Sequence, residues 1–244
     1  MRLFFQYSFL IAATAAAAER APVLVELYTS EGCSSCPPAD ELLMRLDTTQ
    51  PAPAAEIIAL ELHVDYWNRL GWSDPFSSAA FTARQQQYGA VFRRDGVYTP
   101  QMVVDGRTEF VGSDSRRAAA AIAEAAQAPK AQILIGYLHG RLRVRVDGLP
   151  RGAGDADVFL AITEDGLQSD VRRGENQGRL MKHRAVVRRL DYLTTIRLAP
   201  WTNELKLKLD KSWKAENLSA VLFLQDRDNR RILGAARVRL AGSP

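Results

Sequence analysis

Residues 22–46 read PVLVELYTSEGCSSCPPADELLMRL, and this stretch decides the fold that we expect. Residues 22–28 are apolar and rich in valine and leucine, which predicts a short buried β-strand. Residues 40–46 carry leucines at helical spacing behind two acidic residues, which suit the positive N-terminal end of a helix. Cys33 and Cys36 lie between the two elements. A Cys-x-x-Cys pair in that position is typical of a dithiol that cycles with a disulfide.

The two prolines that follow the pair bear on where the helix begins. Pro37 and Pro38 have no backbone N–H, and a residue before proline is biased away from the helical region. We therefore expect the regular helix to begin near Pro37 instead of at Cys33. A thiol at a helix N-terminus has a lowered pKa, and Cys33 gains less of this effect if the helix begins after it.

Strand-like and helix-like runs continue to alternate up to residue 129. Asp105-Gly106 is a strong hairpin signal between two apolar runs, and Ser113 or Ser115 is placed to cap the helix that Pro129 ends. The further elements are a strand at 57–64, a helix at 81–92, strands at 101–104 and 107–111, and a helix at 115–128. This alternation predicts an α/β domain over residues 19–129.

After residue 129 the apolar pattern changes to a period of two. Residues 141–146 and 204–209 alternate strictly between charged and apolar side chains, as half-buried strands do. Weaker strand candidates lie at 132–138, 157–163, 180–190, 220–225 and 231–240. We therefore predict an all-β, antiparallel, sandwich-like domain over residues 130–244.

The first eighteen residues resemble a signal peptide. A short positive start, an apolar run and the small residues before position 19 predict cleavage near Ala18. Export places the chain in the periplasm or outside the cell, where a cysteine pair can keep a disulfide. We find no later stretch that is long and apolar enough for a stable membrane span.

The composition excludes several classes of protein. The 244 residues are 47% hydrophobic and 25% charged, with a formal net charge of +4, which is ordinary for a globular chain. The basic residues are interspersed with acidic ones, so we expect no nucleic-acid partner. Two cysteines cannot form a four-thiolate zinc site. A basic run over residues 172–189 is interpreted as a solvated face, with an anionic partner as the alternative.

The order strand, Cys-x-x-Cys, helix, strand, Thr99-Pro100, hairpin and helix resembles thioredoxin. The resemblance implies that Cys33 is an exposed nucleophile and Cys36 the resolving thiol. It also implies a cis peptide bond between Thr99 and Pro100, a substrate groove shaped by Pro100, and a buried acid at Glu26 that moves protons to or from Cys36. Residues 65–98 form an aromatic-rich insertion that thioredoxin lacks.

The chain also resembles a secreted thioredoxin-like family known only as domain of unknown function 1223. The runs that carry this resemblance are 31–38 (EGCSSCPP), 63–67 (HVDYW), 71–76 (GWSDPF), 98–101 (YTPQ), 173–176 (RGEN) and 180–187. They cover nearly the whole mature chain. The family implies a fold but no substrate.

These features predict an exported thiol–disulfide oxidoreductase that acts on protein thiols or disulfides and needs no cofactor. Reductase, oxidase and isomerase remain open, as does the oligomeric state. One alternative is a copper-binding or copper-delivery protein that uses Cys33, Cys36 and His63, because soft thiolates favour Cu(I). Another is a non-catalytic binding module with a structural disulfide. We expect His63 to lie near the dithiol but beyond direct ligation.

Overall fold

The computed structural model describes residues 20–197 and 199–241. The predicted signal peptide, residues 1–18, lies outside this part of the chain. Within it, no helix has the length and apolar character that a membrane span needs.

The described residues form three α-helices and thirteen strands. The helices are α1 (Pro37–Thr49), α2 (Ala79–Val91) and α3 (Ser115–Ala125). The strands are β1 (Ala21–Thr29), β2 (Ala55–His63), β3 (Gln101–Val104), β4 (Thr108–Val111), β5 (Gln132–Leu138), β6 (Arg141–Asp147), β7 (Ala156–Glu164), β8 (Leu167–Asp170), β9 (Leu180–His183), β10 (Val186–Ile196), β11 (Trp201–Lys206), β12 (Leu218–Asp226) and β13 (Ile232–Arg239). Two short 3-10 helices lie at Asn68–Leu70 and Ala215–Asn217.

Eight strands form one mixed sheet in the order β13-β12-β7-β10-β2-β1-β3-β4. β1 pairs in parallel with β2 and antiparallel with β3. β10 joins the edge of β2, where Val186 faces Glu61 and the amide of Glu61 donates a 2.9 Å hydrogen bond to the carbonyl of Ala185. Strands β11, β6 and β5 form a second sheet, and β8 and β9 form a hairpin.

The predicted fold class is wrong. We expected a thioredoxin-like α/β domain followed by a separate β-sandwich, but the structure is mostly β, with 41% of the described residues in strands and 19% in helices, and shows no clear thioredoxin layout. The strands β7, β10, β12 and β13 extend the same sheet as β1–β4. The error has a simple cause, because periodicity identifies a strand but does not say which strand it pairs with.

Three apolar clusters hold the sheet in place. α1 and α3 pack on one face through residues such as Leu43 and Ile122, and α2 packs on the opposite face through Phe81 and Tyr88. The third cluster lies between the three-stranded sheet and the β7–β12 end of the large sheet, around Leu142 and similar side chains.

The start of α1 confirms one local prediction. The helix begins at Pro37 with Cys36 as its N-cap, so Cys33 lies one turn outside it. The predicted cap of α3 is wrong by one residue, because Asp114 and not a serine accepts the hydrogen bond from the amide of Arg117, at 3.0 Å. Asp is as good an N-cap as Ser, so composition alone could not distinguish them.

Candidate functional site

Cys33 and Cys36 are joined in a disulfide, and their Cα atoms lie 5.4 Å apart. The turn is closed by a hydrogen bond of 3.2 Å from the amide of Cys36 to the carbonyl of Cys33. Both cysteines are 0% exposed, whereas Ser34 and Ser35 between them are exposed. Cys33, which we expected to be accessible, is therefore buried.

The loop between β8 and β9 covers the disulfide. Asn176 in this loop is fully buried, and its Nδ2 donates to the carbonyls of Glu31 and Cys33, both at 2.9 Å. The amide of Ser34 donates to Oε2 of Glu175 at 3.0 Å. We call residues 171–179 the cover loop. It holds the Cys-x-x-Cys turn through polar contacts from more than 140 residues further along the chain.

The aromatic segment after β2 closes the other side of the turn. Nε1 of Trp67 donates to the hydroxyl of Thr99 at 2.8 Å, and Nε1 of Trp72 donates to Oε2 of Glu31, also at 2.8 Å. A side chain at Gly32 would meet Cβ of Trp67 at 3.2 Å, so glycine lets the tryptophan approach the turn. The predicted insertion thus reaches the site through its two tryptophans.

The peptide bond between Thr99 and Pro100 is cis, as predicted. Pro100 is buried, and its carbonyl accepts a hydrogen bond of 2.9 Å from the amide of Gly112 after β4. Thr99 supports Trp67, as described above.

Glu26 is not brought to the cysteines by any contact in the described residues. Its side chain lies on the face of β1 that packs against α2, because it alternates with Val25 and Leu27 on the α1 face. There its carboxylate pairs with Arg84 at 2.7 Å and accepts a hydrogen bond from Tyr88 at 2.6 Å. This pairing explains how a buried acid is tolerated at this position.

A set of buried ionisable side chains lies next to the turn, and we call it the histidine–carboxylate cluster. Its members come from the loop after β1, from β2, from the segment after β2 and from the end of β9. They are Glu31, Glu61, His63, Asp74 and His183, and each is at most 3% exposed.

Hydrogen bonds connect the cluster. Nδ1 of His63 donates to Oδ2 of Asp74 at 2.7 Å. His183 lies 2.8 Å from Oε1 of Glu61 through Nδ1 and 3.1 Å from Oε1 of Glu31 through Nε2. Nε2 of His63 is buried without a hydrogen-bond partner, and its nearest carboxylate oxygen, on Glu61, lies 3.6 Å away.

The charged groups of the cluster shift one another's pKa values. Burial alone would lower the pKa of His183, but the carboxylates of Glu61 and Glu31 raise it to about 9. Burial also opposes the charged form of His63, and Asp74 raises the pKa of that ring well above its usual value. Burial would raise the pKa of Glu61, yet the two histidines lower it to about 2. Ionised carboxylates therefore surround two protonated rings.

Asp40 in the first turn of α1 is a further buried acid. Its amide donates to the carbonyl of Cys36 at 3.1 Å, and its Oδ1 accepts from the hydroxyl of Thr29 at 2.6 Å. Its Oδ2 is buried without a partner. Burial and the nearby charge of Glu61 raise the pKa of Asp40 to about 7.

Sequence reasoning identified His63 but missed most of its neighbours. His183 was assigned to a solvated basic face, and it is 2% exposed. A signal was present, because Glu31, Asp74, Asn176 and His183 all lie within the runs that carry the family resemblance. Of the described side chains, the set that could hold a metal ion comprises Glu61, His63 and His183, without a cysteine.

The fold and the site define a class of protein in which a buried Cys-x-x-Cys disulfide and a histidine–carboxylate cluster lie together at the carboxyl ends of two parallel strands, β1 and β2, of a mixed β-sheet. The chain belongs to the family described as protein of unknown function DUF1223, whose model matches residues 24–225.

Two solved structures are similar over nearly the whole chain. A crystal structure of a protein from Agrobacterium tumefaciens shares 28% identity, with a TM-score of 0.73, and the match covers 93% of this chain and 98% of that one. HBP35 of Porphyromonas gingivalis matches with a TM-score of 0.57 and 13% identity over 94% of this chain and 78% of its own, which shows a likeness of fold alone. No curated protein matches the sequence.

Proposed function

We propose that this protein is an extracytoplasmic thiol–disulfide oxidoreductase and that Cys33–Cys36 is its exchanging disulfide. The observation that carries the proposal is the disulfide itself, which spans two residues at the start of α1. A disulfide that closes so short a loop restricts the unfolded chain little, about 2 kcal/mol in the chain-entropy account. A structural disulfide stabilises a fold more when it closes a longer loop. Disulfide exchange therefore explains this cysteine pair better than stabilisation of the fold does.

The exchange conserves atoms and electrons. A thiolate of the partner protein attacks Sγ of Cys33, the bond between the cysteine sulfurs breaks, and Cys36 leaves as a thiolate that takes up a proton. A second partner thiolate then attacks the mixed disulfide, so the partner is oxidised by two electrons and Cys33–Cys36 is reduced to the dithiol. The reverse sequence reduces a partner disulfide.

Asp40 is suited to handle the proton at Cys36. Its backbone amide donates to the carbonyl of Cys36 in the first turn of α1, and a pKa of about 7 lets its buried carboxyl group accept or give up a proton near neutral pH. Glu26, held by Arg84 on the other face of the sheet, does not have this relation to the cysteine. Asp40 lies one helical turn after Cys36 and is therefore a better candidate than Glu26 for the proton-transfer role.

Access to the buried sulfurs requires the cover loop to move. Its contacts to the turn are hydrogen bonds that Asn176 donates and that the carboxylate of Glu175 accepts, and such bonds open more readily than a packed apolar core. Beside it, a groove of about 510 Å³ lies between α1 and β9, with Pro37 and Asp40 in its wall. The groove offers a partner polypeptide a place next to the disulfide.

Two observations support a location outside the cytoplasm, namely the disulfide and the leader pattern. A disulfide persists in an oxidising compartment, whereas cytosolic thiols are kept reduced. The apolar start of the sequence is the pattern of an export signal.

The test is the reduction potential of the pair, measured by equilibrating the purified mature chain in redox buffers and counting free thiols by mass spectrometry. Proteins that exchange disulfides have potentials of about −120 to −270 mV, whereas structural disulfides lie below about −300 mV. We expect a value in the first range. We also expect Cys36→Ser to accumulate mixed disulfides with partner proteins and Cys33→Ser to trap almost none.

A potential below about −300 mV together with no trapped partner would identify an inert disulfide and refute the proposal. Tight one-to-one Cu(I) binding by the reduced chain, lost in His63→Ala, would favour the copper function instead.

A further inference from the structure

We propose that Glu61, His63 and His183 form a binding site for a divalent transition-metal ion, with Zn²⁺ as the best-matched ion. The site lies on the α1 face of β2 and at the end of β9. It is separate from the disulfide and does not depend on the oxidoreductase function.

The ligand atoms are already close to the spacing that a metal requires. One nitrogen from each histidine and one oxygen of Glu61 lie within 4.8 Å of one another. Oε1 of Glu61 lies 3.6 Å from Nε2 of His63 and 2.8 Å from Nδ1 of His183. Two ligands on a tetrahedral Zn²⁺ with bonds of about 2.0–2.1 Å are roughly 3.3 Å apart. An ion between the three requires Oε1 of Glu61 and Nδ1 of His183 to separate from 2.8 Å to roughly 3.3 Å.

The second nitrogen of each ring is held as it is in metal sites. Nδ1 of His63 donates to Asp74 at 2.7 Å, which leaves Nε2 to face Glu61. Nε2 of His183 lies 3.1 Å from Glu31, which leaves Nδ1 to face Glu61. Metal-binding histidines almost always donate their other N–H to a carboxylate or carbonyl group, which fixes the ring and raises its basicity. Here both rings have a separate carboxylate for that purpose.

The unpartnered nitrogen of His63 points to a missing ligand. His63 is 0% exposed, and its Nε2 is buried with no hydrogen-bond partner among the described residues. A buried polar nitrogen without a partner costs free energy, and a metal ion coordinated there removes that cost. The ring of Phe76 packs edge-on against both histidine rings, at 5.4 and 5.6 Å between centroids, and shields the site from water.

The donor set selects the ion. Two imidazoles and one carboxylate suit Zn²⁺ and similar ions, whereas Ca²⁺ and Mg²⁺ prefer oxygen ligands and Cu(I) prefers thiolates. The charge of the cluster permits this exchange. A divalent cation that displaces one proton from each ring leaves the net charge beside the carboxylates of Glu31, Glu61 and Asp74 unchanged. Three protein ligands also leave the fourth position of a tetrahedral ion open.

The experiment uses the mature chain with its disulfide intact, stripped by a chelator and then given Zn²⁺ both in the folded state and during refolding. Bound metal is counted by elemental analysis after gel filtration, and affinity is measured by competition with a chromophoric chelator. We expect one Zn²⁺ per chain. Asp74→Asn should weaken binding about 10- to 100-fold, as loss of an outer partner does. His63→Gln and His183→Gln should weaken it by more than that.

The chain provides a matched control. It contains three histidines, and the third, His139, is exposed in the turn between β5 and β6. His139→Gln removes the only other imidazole and should leave the affinity unchanged. Binding that survives His63→Gln and His183→Gln but is lost in His139→Gln would overturn the proposal.

A second measurement protects the test if a histidine variant fails to fold. Co²⁺ bound to the wild-type chain should show the visible absorption of a tetrahedral ion without a thiolate charge-transfer band, in both the oxidised and the reduced protein. A thiolate band in the reduced protein would assign the metal to the cysteines. Failure of the folded and the refolded wild-type chain to take up Zn²⁺ would refute the site outright.

Discussion

Asn176→Ala should accelerate reduction of the Cys33–Cys36 disulfide, because Asn176 holds the cover loop over the turn. Its Nδ2 donates two hydrogen bonds of 2.9 Å to buried carbonyls. A net contribution of about 0.5–1.5 kcal/mol for each bond makes the closed state roughly 1–3 kcal/mol less stable in the variant. Each 1.36 kcal/mol is a factor of about ten, so the open fraction rises roughly 5- to 150-fold.

The assay mixes oxidised protein with dithiothreitol, quenches aliquots by alkylation and measures the reduced fraction by mass spectrometry. If the cover loop opens and closes faster than dithiothreitol reacts and is rarely open, the reduction rate is proportional to the fraction of open protein. The variant should therefore be reduced about 5- to 150-fold faster. Gln177→Ala is the matched control, since Gln177 is an exposed neighbour on the same loop. Global unfolding is measured in urea alongside. If reduction proceeds through opening of the cover loop, the reduction rate should not change at low urea concentrations. A rate for Asn176→Ala within twofold of wild type would refute the gating role of the loop.

Three further predictions concern stability. Glu26→Gln leaves Arg84 buried without its counter-charge, so we expect a loss of about 3–5 kcal/mol of unfolding free energy in urea, and a disulfide-exchange rate unchanged after correction for stability. An effect of Glu26→Gln on exchange alone would instead restore its predicted role. Glu109 has a pKa lowered in the folded state, although burial opposes this, because Tyr98, Gln101 and Arg94 bond its ionised form. The ionised Glu109 side chain therefore stabilises the folded chain above the ordinary pKa of about 4.3, and this stabilisation is lost as pH falls through the lower pKa of the folded state. In Glu109→Gln, the free energy of unfolding should depend less on pH in that window. Gly106→Ala should be far more destabilising than Gly140→Ala. Both glycines have positive φ. The new Cβ at Gly106 would overlap with the backbone carbonyl of Arg230, while nothing lies within 4 Å of a Cβ at Gly140. Equal losses in thermal unfolding would contradict the packing at Gly106.

Much of the local structure follows from the sequence alone. The valine- and leucine-rich run before the cysteines forms β1, and the leucines at helical spacing form α1. Pro37 and Pro38 place the beginning of that helix, because a residue without an N–H is tolerated in the first turn. Asp105-Gly106 likewise forms the turn between β3 and β4. Each of these features depends on residues within a few positions of one another.

The site depends on contacts that no local pattern contains. Asn176 reaches the carbonyl of Cys33 across 143 residues, and His183 reaches Glu31 across 152. The sequence marks His63 as a candidate ligand, but only the structure shows that the segment after β2 brings Asp74 to one ring nitrogen and that the end of β9 brings His183 beside the ring. Glu26 illustrates the same limit, because only the structure shows that its face of β1 meets Arg84.

The sequence by itself therefore determined where the helices and most strands lie, where the Cys-x-x-Cys turn begins, and which family the chain resembles, but it missed β8 and merged β9 with β10. The tertiary structure alone decided that the C-terminal strands extend the N-terminal sheet, that the disulfide is buried, and that two histidines meet three carboxylates. The physical reason is that strand pairing uses backbone N–H and C=O groups, which every non-proline residue carries. Side-chain periodicity records which face of a strand is buried, whereas the neighbour across the hydrogen bonds is selected by the packing of the whole chain.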